Sequence, residues 1–177
     1  MKWMLMIGVT IAAILALAAF VGSRLPRSHR ASREQTLSAS PEAIWIAITD
    51  VEAFPSWRDI KKVERLPDRD GRPVWVEESR SGRITLAVER MEVPRLLVGR
   101  IADRNLPFGG SWTYELTPVT GGTRLKITED GEIYNPLFRF MARFIFGYEG
   151  TIASYMAALE KRFAPEAGDT RKERLKV

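Results

Sequence analysis

Hydrophobic and polar positions follow three successive patterns along the chain. From Trp3 to Val21 there is no charged residue, only Leu, Ile, Met, Val, Ala and Phe broken by Gly8 and Thr10. As a helix this run is about 28 Å long, close to the hydrocarbon thickness of a bilayer, so residues 1–23 are expected to form a transmembrane anchor. A second reading is a cleaved signal peptide, with Lys2 as its basic start and Val21-Gly22-Ser23 as a small-residue cleavage site. The length of the run and the arginines that follow at once favour the anchor. Residues 24–32 show no apolar periodicity and carry Pro26, Ser28, Ser32 and a series of arginines, which predicts a basic linker.

From residue 33 the pattern is that of a folded domain reaching to 165. Glu34 to Ser38 fits a first strand. Ser40-Pro41-Glu42 then combines an N-cap, a proline at the first helical position and an acid in the first turn, and Ile44, Trp45 and Ile48 supply a short apolar stripe. Asp50 to Trp57 reads as a second short helix or turn that brings Trp57 against the core. Strand-like runs follow, with Asp68-Arg69-Asp70-Gly71 as a hairpin turn. Ile84, Leu86 and Val88 alternate with Thr85, Ala87 and Glu89; Trp112, Tyr114 and Leu116 share a face, as do Leu125 and Ile127. Such alternation predicts a largely antiparallel sheet with one covered face. The cover is a C-terminal helical stretch started by Asn135-Pro136, in which Ile152, Tyr155, Met156, Leu159 and Phe163 repeat at helical spacing. Residues 166–177 are expected to be a charged tail.

With 177 residues and 45% hydrophobic content the chain is long enough for one domain with a core. The formal charge is +5, and Lys2, Arg24, Arg27, Arg30 and Arg33, with no acid among the first 33 residues, account for it. From Glu34 onward the basic residues equal the 22 acids, so the domain is formally neutral and nucleic acid is not an expected partner. The basic residues after the apolar run favour a cytoplasmic domain at the cell membrane. Arg24, Arg27 and Arg30 lie within reach of anionic headgroups. There is no cysteine, and the one histidine, His29, falls in the arginine-rich segment, which leaves the domain without a thiolate or an imidazole. No phosphate loop, catalytic carboxylate pair or metal-ligand cluster is visible. No metal or cofactor is therefore expected, no residue is singled out as catalytic, and the residues do not mark an enzyme.

The order of strand, two short helices, six strands and a long terminal helix resembles the helix-grip fold of the START-like (SRPBCC) superfamily. Ser40-Pro41-Glu42-Ala43-Ile44-Trp45, Thr49-Asp50, Phe54-Pro55-Ser56-Trp57, Trp112-Thr113-Tyr114 and Gly122-Thr123-Arg124-Leu125 are similar to its polyketide cyclase/dehydrase and lipid-transport group. The resemblance implies an α+β domain, a curved antiparallel sheet wrapped around a long C-terminal helix and here preceded by one transmembrane helix. It also implies an apolar cavity for a lipid, isoprenoid or other hydrophobic small molecule. Members include lipid carriers, receptors, cyclases and protein-binding modules, so a cyclase or dehydratase-like enzyme and a protein-interaction module stand as alternatives.

Trp57, Trp112, Tyr114, Tyr155, Met156 and Leu159 are the expected apolar lining, with ordinary core packing as the competing explanation. Glu129 continues the period of Leu125 and Ile127, and Glu78 that of Val74 and Val76. Either carboxylate, if inward, would carry a raised pKa and serve as acid, base or ligand partner; a bulge near Asp130-Gly131 would turn Glu129 away. Arg100, on the parity of Leu96 and Val98, could pair with either acid. The cavity is expected to open near Phe108, in a glycine-flanked loop, or near Leu137 to Tyr148, where Arg139 and Arg143 are the only charges on an apolar helix. That helix either packs on the domain or lies on the bilayer with both arginines toward headgroups.

Overall fold

The computed structural model describes residues 2–164; the charged tail lies outside the described residues. Helix α1 (Lys2–Arg24) is followed after only Leu25, Pro26 and Arg27 by β1 (Ser28–Leu37). The first strand thus begins inside the segment expected to be linker. His29 and Ala31 face inward and Arg30 and Ser32 outward, an alternation whose apolar phase is too small to stand out from sequence.

Helix α2 (Pro41–Thr49) starts as its sequence dictates, with the Ser40 hydroxyl accepting from the Ala43 N–H at 3.2 Å. It buries Ile44, Trp45, Ala47 and Ile48. A 3₁₀ turn, Val51–Ser56, buries Val51 and Phe54 and delivers Trp57 to the core. Six strands follow: β2 (Lys62–Arg69), β3 (Arg72–Ser79), β4 (Gly82–Glu92), β5 (Leu96–Ile101), β6 (Phe108–Val119) and β7 (Gly122–Ile133). They form one antiparallel sheet in the order β1-β7-β6-β5-β4-β3-β2. The β1–β7 and β6–β7 pairings run without a register shift from end to end, so inward and outward parity is preserved along both.

The inner face carries Trp75, Val88, Leu97, Leu116, Leu125 and Ile127. The outer face is solvated and laced with exposed ion pairs such as Arg30–Asp130 and Lys126–Glu115, each worth at most about 1 kcal/mol. The C-terminal helical stretch is broken. Helix α3 (Pro136–Met141), capped by the Asn135 side chain, runs into a π-turn (Ala142–Phe146), and α4 (Gly150–Phe163) resumes after Gly147, Tyr148 and Glu149. Helix α4 buries Ile152, Tyr155, Met156 and Leu159 against the sheet, at the spacing expected of them.

Helix α1 does not hang free. Ala18 and Gly22, one turn apart, are its buried residues, and a Cβ at Gly22 would overlap the Pro136 carbonyl of α3. Only glycine permits this approach of helix to backbone. Arg139 of α3 completes the joint, donating from Nη1 to the Leu25 carbonyl at 3.0 Å just beyond the end of α1.

Candidate functional site

Between the sheet and α4 lies a cluster of aromatic rings. Tyr155 projects from α4 and meets Trp57, Trp112 and Tyr114 at centroid separations of 5.5, 6.0 and 5.6 Å. The edge-on and tilted geometries are those aromatic quadrupoles favour. Trp57, Trp112, Tyr114 and Tyr155 are thus brought together, as expected from parity and helical spacing. Burial pushes the Tyr155 phenol up to about 12. Tyr114 keeps part of its surface open to solvent, yet dense surroundings hold its pKa well above the ordinary tyrosine value. Both are neutral hydrogen-bonding groups at physiological pH. Met156 and Leu159, also expected as lining, are buried in the core, Leu159 completely.

The lining is not sealed. Leu86, Trp112 and Tyr114 face inward, and so do Ile84 and Ile101, which stand opposite inward Glu77 and Leu86; all five are only half-buried. An inner sheet face that α4 does not fully cover is apolar surface still able to accept a ligand.

An ion pair underlies this cluster. Arg58 donates from both terminal nitrogens to Glu77, at 3.0 and 3.2 Å, with its guanidinium 4.6 Å from the centre of Phe54 and 4.7 Å from that of Tyr155. Burial acts to lower the Arg58 pKa, but neighbouring Tyr155 and Glu77 hold it above its usual value. Trp75 also donates to Glu77, at 3.1 Å. The inward carboxylate of β3 is therefore Glu77 and not Glu78, which shares the outward parity of Val74 and Val76. Trp75 joins the core cluster opposite Leu86 and so marks the inward phase of this strand, although Val74 on the other face is also buried. Arg100 is outward as well and pairs with Glu89.

Glu129 does face inward, opposite Trp112 on one side and Ala31 on the other; no bulge intervenes. Its partner is His29, with Nε2 3.6 Å from Oε1. The histidine expected in a linker is thus in the sheet and beside an acid. Its ring fills the space over Gly131, where a Cβ would strike it, and stacks on Tyr148 with centroids 4.1 Å apart. Glu129 Oε2 and His29 Nδ1 are buried without a hydrogen-bond partner. Desolvation raises the Glu129 pKa, with the nearby Trp112 indole acting the other way, and desolvation lowers that of His29. Both shifts favour uncharged forms, which suit proton exchange or recognition of a polar head.

Neither of two surface clefts is lined by Phe108 or by residues 137–148, where an opening was expected. Phe108 belongs to β6 and stacks on Phe138 of α3. Trp57, Trp112, Tyr114 and Tyr155 occupy the centre of the grip. One open cleft of about 410 Å³ lies at the end of α4, between Pro55, Trp57, Arg58, Ala158 and Arg162, and another of about 360 Å³ lies along the β5–β6 edge. The first backs onto the aromatic cluster through Trp57, whose indole N–H is buried and unpartnered. Of the arginines expected at a membrane, Arg139 is buried beneath α1 and serves as its cap, whereas Arg143 is exposed. Arg24 lies over Phe20 of its own helix, Arg30 pairs with Asp130, and the Arg27 carbonyl accepts from Ile133. Arg58, Glu77, His29 and Tyr148 were not singled out by sequence. The signals available were the Trp75–Glu77 parity and the Arg58 position next to Trp57.

A seven-stranded antiparallel sheet closed by a C-terminal helix, with an aromatic, partly uncovered inner face, defines a START-like helix-grip domain. The family described as polyketide cyclase / dehydrase and lipid transport matches residues 28–164, and the chain belongs to that family. Its fold suggests a hydrophobic ligand-binding domain. Solved structures agree on the fold. A START superfamily protein from Mycobacterium smegmatis superimposes with a TM-score of 0.60 at 20% identity, covering 76% of this chain and 97% of its own. The di-domain ARO/CYC BexL from the BE-7585A biosynthetic pathway gives 0.66 at 6% identity, over 93% of this chain and 61% of its own. XoxI from Bacillus cereus gives 0.55 at 18% identity, over 78% and 96%. No curated protein matches the sequence.

Proposed function

We propose that this chain is a membrane-anchored binding protein for a lipid, isoprenoid or other hydrophobic small molecule, held between the sheet and α4 at the cytoplasmic face. The observation that carries this reading is the inward but half-buried row formed by Leu86, Trp112 and Tyr114. An apolar lining left partly wet in the free protein gains free energy when a ligand covers it, about 25 cal/mol per Å² removed from water. Retention of α1 is supported by its joint with α3, since removal after Ser23 would uncover Pro136 and Phe140, which Gly22 contacts. Residues 1–23 are then the anchor, Leu25 to Arg27 the connection, and the domain runs on from β1.

Native mass spectrometry of the full chain, extracted from membranes in mild detergent, tests this. A hydrophobic adduct at one per chain is expected, lost in Leu86→Arg and retained in Ser81→Arg on an exposed turn. Bare protein, or an adduct indifferent to Leu86→Arg when circular dichroism shows a folded variant, would overturn it.

One observation favours a second reading, in which the same space hosts a cyclase or dehydratase-like reaction. Glu129 and His29 bring an acid and an imidazole within 3.6 Å under Tyr148. An enzyme of this kind requires that Glu129→Gln abolish turnover of the identified adduct while leaving its binding intact.

A further inference from the structure

Beside the end of α1 the domain exposes apolar side chains that it does not cover. Phe144, Ile145 and Phe146 of the π-turn are 58%, 63% and 60% exposed, and Phe138 of α3 is 42% exposed. Consecutive aromatic and aliphatic residues this open to water are costly on a soluble surface. Their position is tied to α1. Helix α3, directly continuous with the π-turn, is the element on which Ala18 and Gly22 pack, and its Arg139 is bonded to Leu25. The turn is therefore held at the level where α1 ends, and it cannot drift from that helix without breaking a buried joint.

Charge placement fits the same level. Arg143 lies over the Phe144 ring at 5.7 Å, and Arg24 lies over Phe20 at 5.1 Å. Each is a cation at the edge of an apolar surface, the arrangement by which arginine reaches headgroups while its neighbours enter the acyl region. The π-turn contributes as well. The wider i→i+5 turn sets consecutive residues closer together around the axis than an α-turn does, and Phe144, Ile145 and Phe146 are all exposed.

We infer that Phe144, Ile145 and Phe146 form a second membrane foot, inserted among the acyl chains of the leaflet in which α1 ends, so that the domain stands on the bilayer at two points. This rests on the reading of α1 as a retained anchor. The foot brings Tyr148, with His29 and Glu129 beneath it, close to the same surface, because Tyr148 follows the π-turn by one residue.

The absence of cysteine makes single-site labelling clean. The full chain is placed in nanodiscs of mixed zwitterionic and anionic phospholipid, with an environment-sensitive fluorophore on Phe146→Cys, Ile145→Cys, Leu15→Cys or Ser81→Cys. Quenchers attached to the acyl chains report contact with lipid. Blue-shifted emission and acyl-chain quenching are expected at residues 146, 145 and 15, with water-like emission at 81. A label at 15 in lipid together with labels at 145 and 146 in water overturns the foot and leaves the anchor standing. A water-like label at 15 overturns both. Labels at 145 and 146 that are blue-shifted yet untouched by the quenchers mean that protein covers the turn, a second copy of the chain included, and this too overturns the foot.

Discussion

Arg58 grips both carboxylate oxygens of Glu77, and the pair sits against the ring of Tyr155 rather than in bulk water. Breaking such a pair on one side leaves the other charge buried without compensation. Glu77→Gln or Arg58→Met is expected to lose about 3–5 kcal/mol. The double variant Arg58→Met/Glu77→Leu should lose much less than the sum. Urea titration followed by tryptophan fluorescence measures the difference; strictly additive losses would show that the two groups are independent.

Glu129 and His29 predict opposite pH dependences. Because the Glu129 pKa is raised by burial, the fold binds a proton that the unfolded chain has already released. Stability therefore falls as pH rises above the ordinary carboxylate range. Glu129→Gln removes that loss, so the two proteins should melt together in acid and separate near pH 8, with the variant melting higher. The His29 pKa is lowered, so its contribution is present above the ordinary histidine value and is lost as pH falls through the folded one. His29→Phe should flatten the acid side of the curve. Thermal melts across pH in detergent micelles show whether either arm is missing.

Gly22→Leu cannot keep the approach of α1 to α3, because its side chain would occupy the Pro136 carbonyl position. Spin labels at Leu17 and Ile145 should give a narrow distance distribution in the parent protein and a broad one in the variant, with the melting temperature of the sheet domain little changed. An unchanged distribution would mean that the joint does not depend on the absence of a side chain.

Ser40→Ala removes a helix cap bonded to the Ala43 amide and should lose about 1 kcal/mol. Ile46→Thr, on the exposed side of the same helix, should stay within about 0.5 kcal/mol. Both values come from the same urea titration.

The fold was largely legible because its cues are local. Ser40-Pro41 and Asn135-Pro136 start helices where they stand, and the alternation around Trp112 and Leu125 assigns the inner face of the two central strands. What could not be read was set by competition between neighbours. On β3, the parity of Val74 and Val76 pointed to Glu78, but Trp75 is the residue that joins the core cluster, and this reverses Glu77 and Glu78. On β1, Arg27, Arg30 and Arg33, three apart, masked a strand whose first inward residues are His29 and Ala31. The break at Gly147 lies in Gly147-Tyr148-Glu149-Gly150, two glycines between apolar runs that were read as one helical stretch. Arg139 is a charge in an apolar helix whose partner, the Leu25 carbonyl, lies far away in sequence.

The joint between Gly22 and Pro136 has a mechanical consequence. A helix connected through slack chain can change its tilt without its domain responding, whereas here only Leu25, Pro26 and Arg27 separate α1 from β1 and the helix is also bolted to α3. Helices relieve a mismatch between their apolar length and the bilayer by tilting. With α1 in a bilayer, a change in membrane thickness becomes a change in the angle at which the grip meets the surface. The protein would then register the thickness of its own membrane as an orientation.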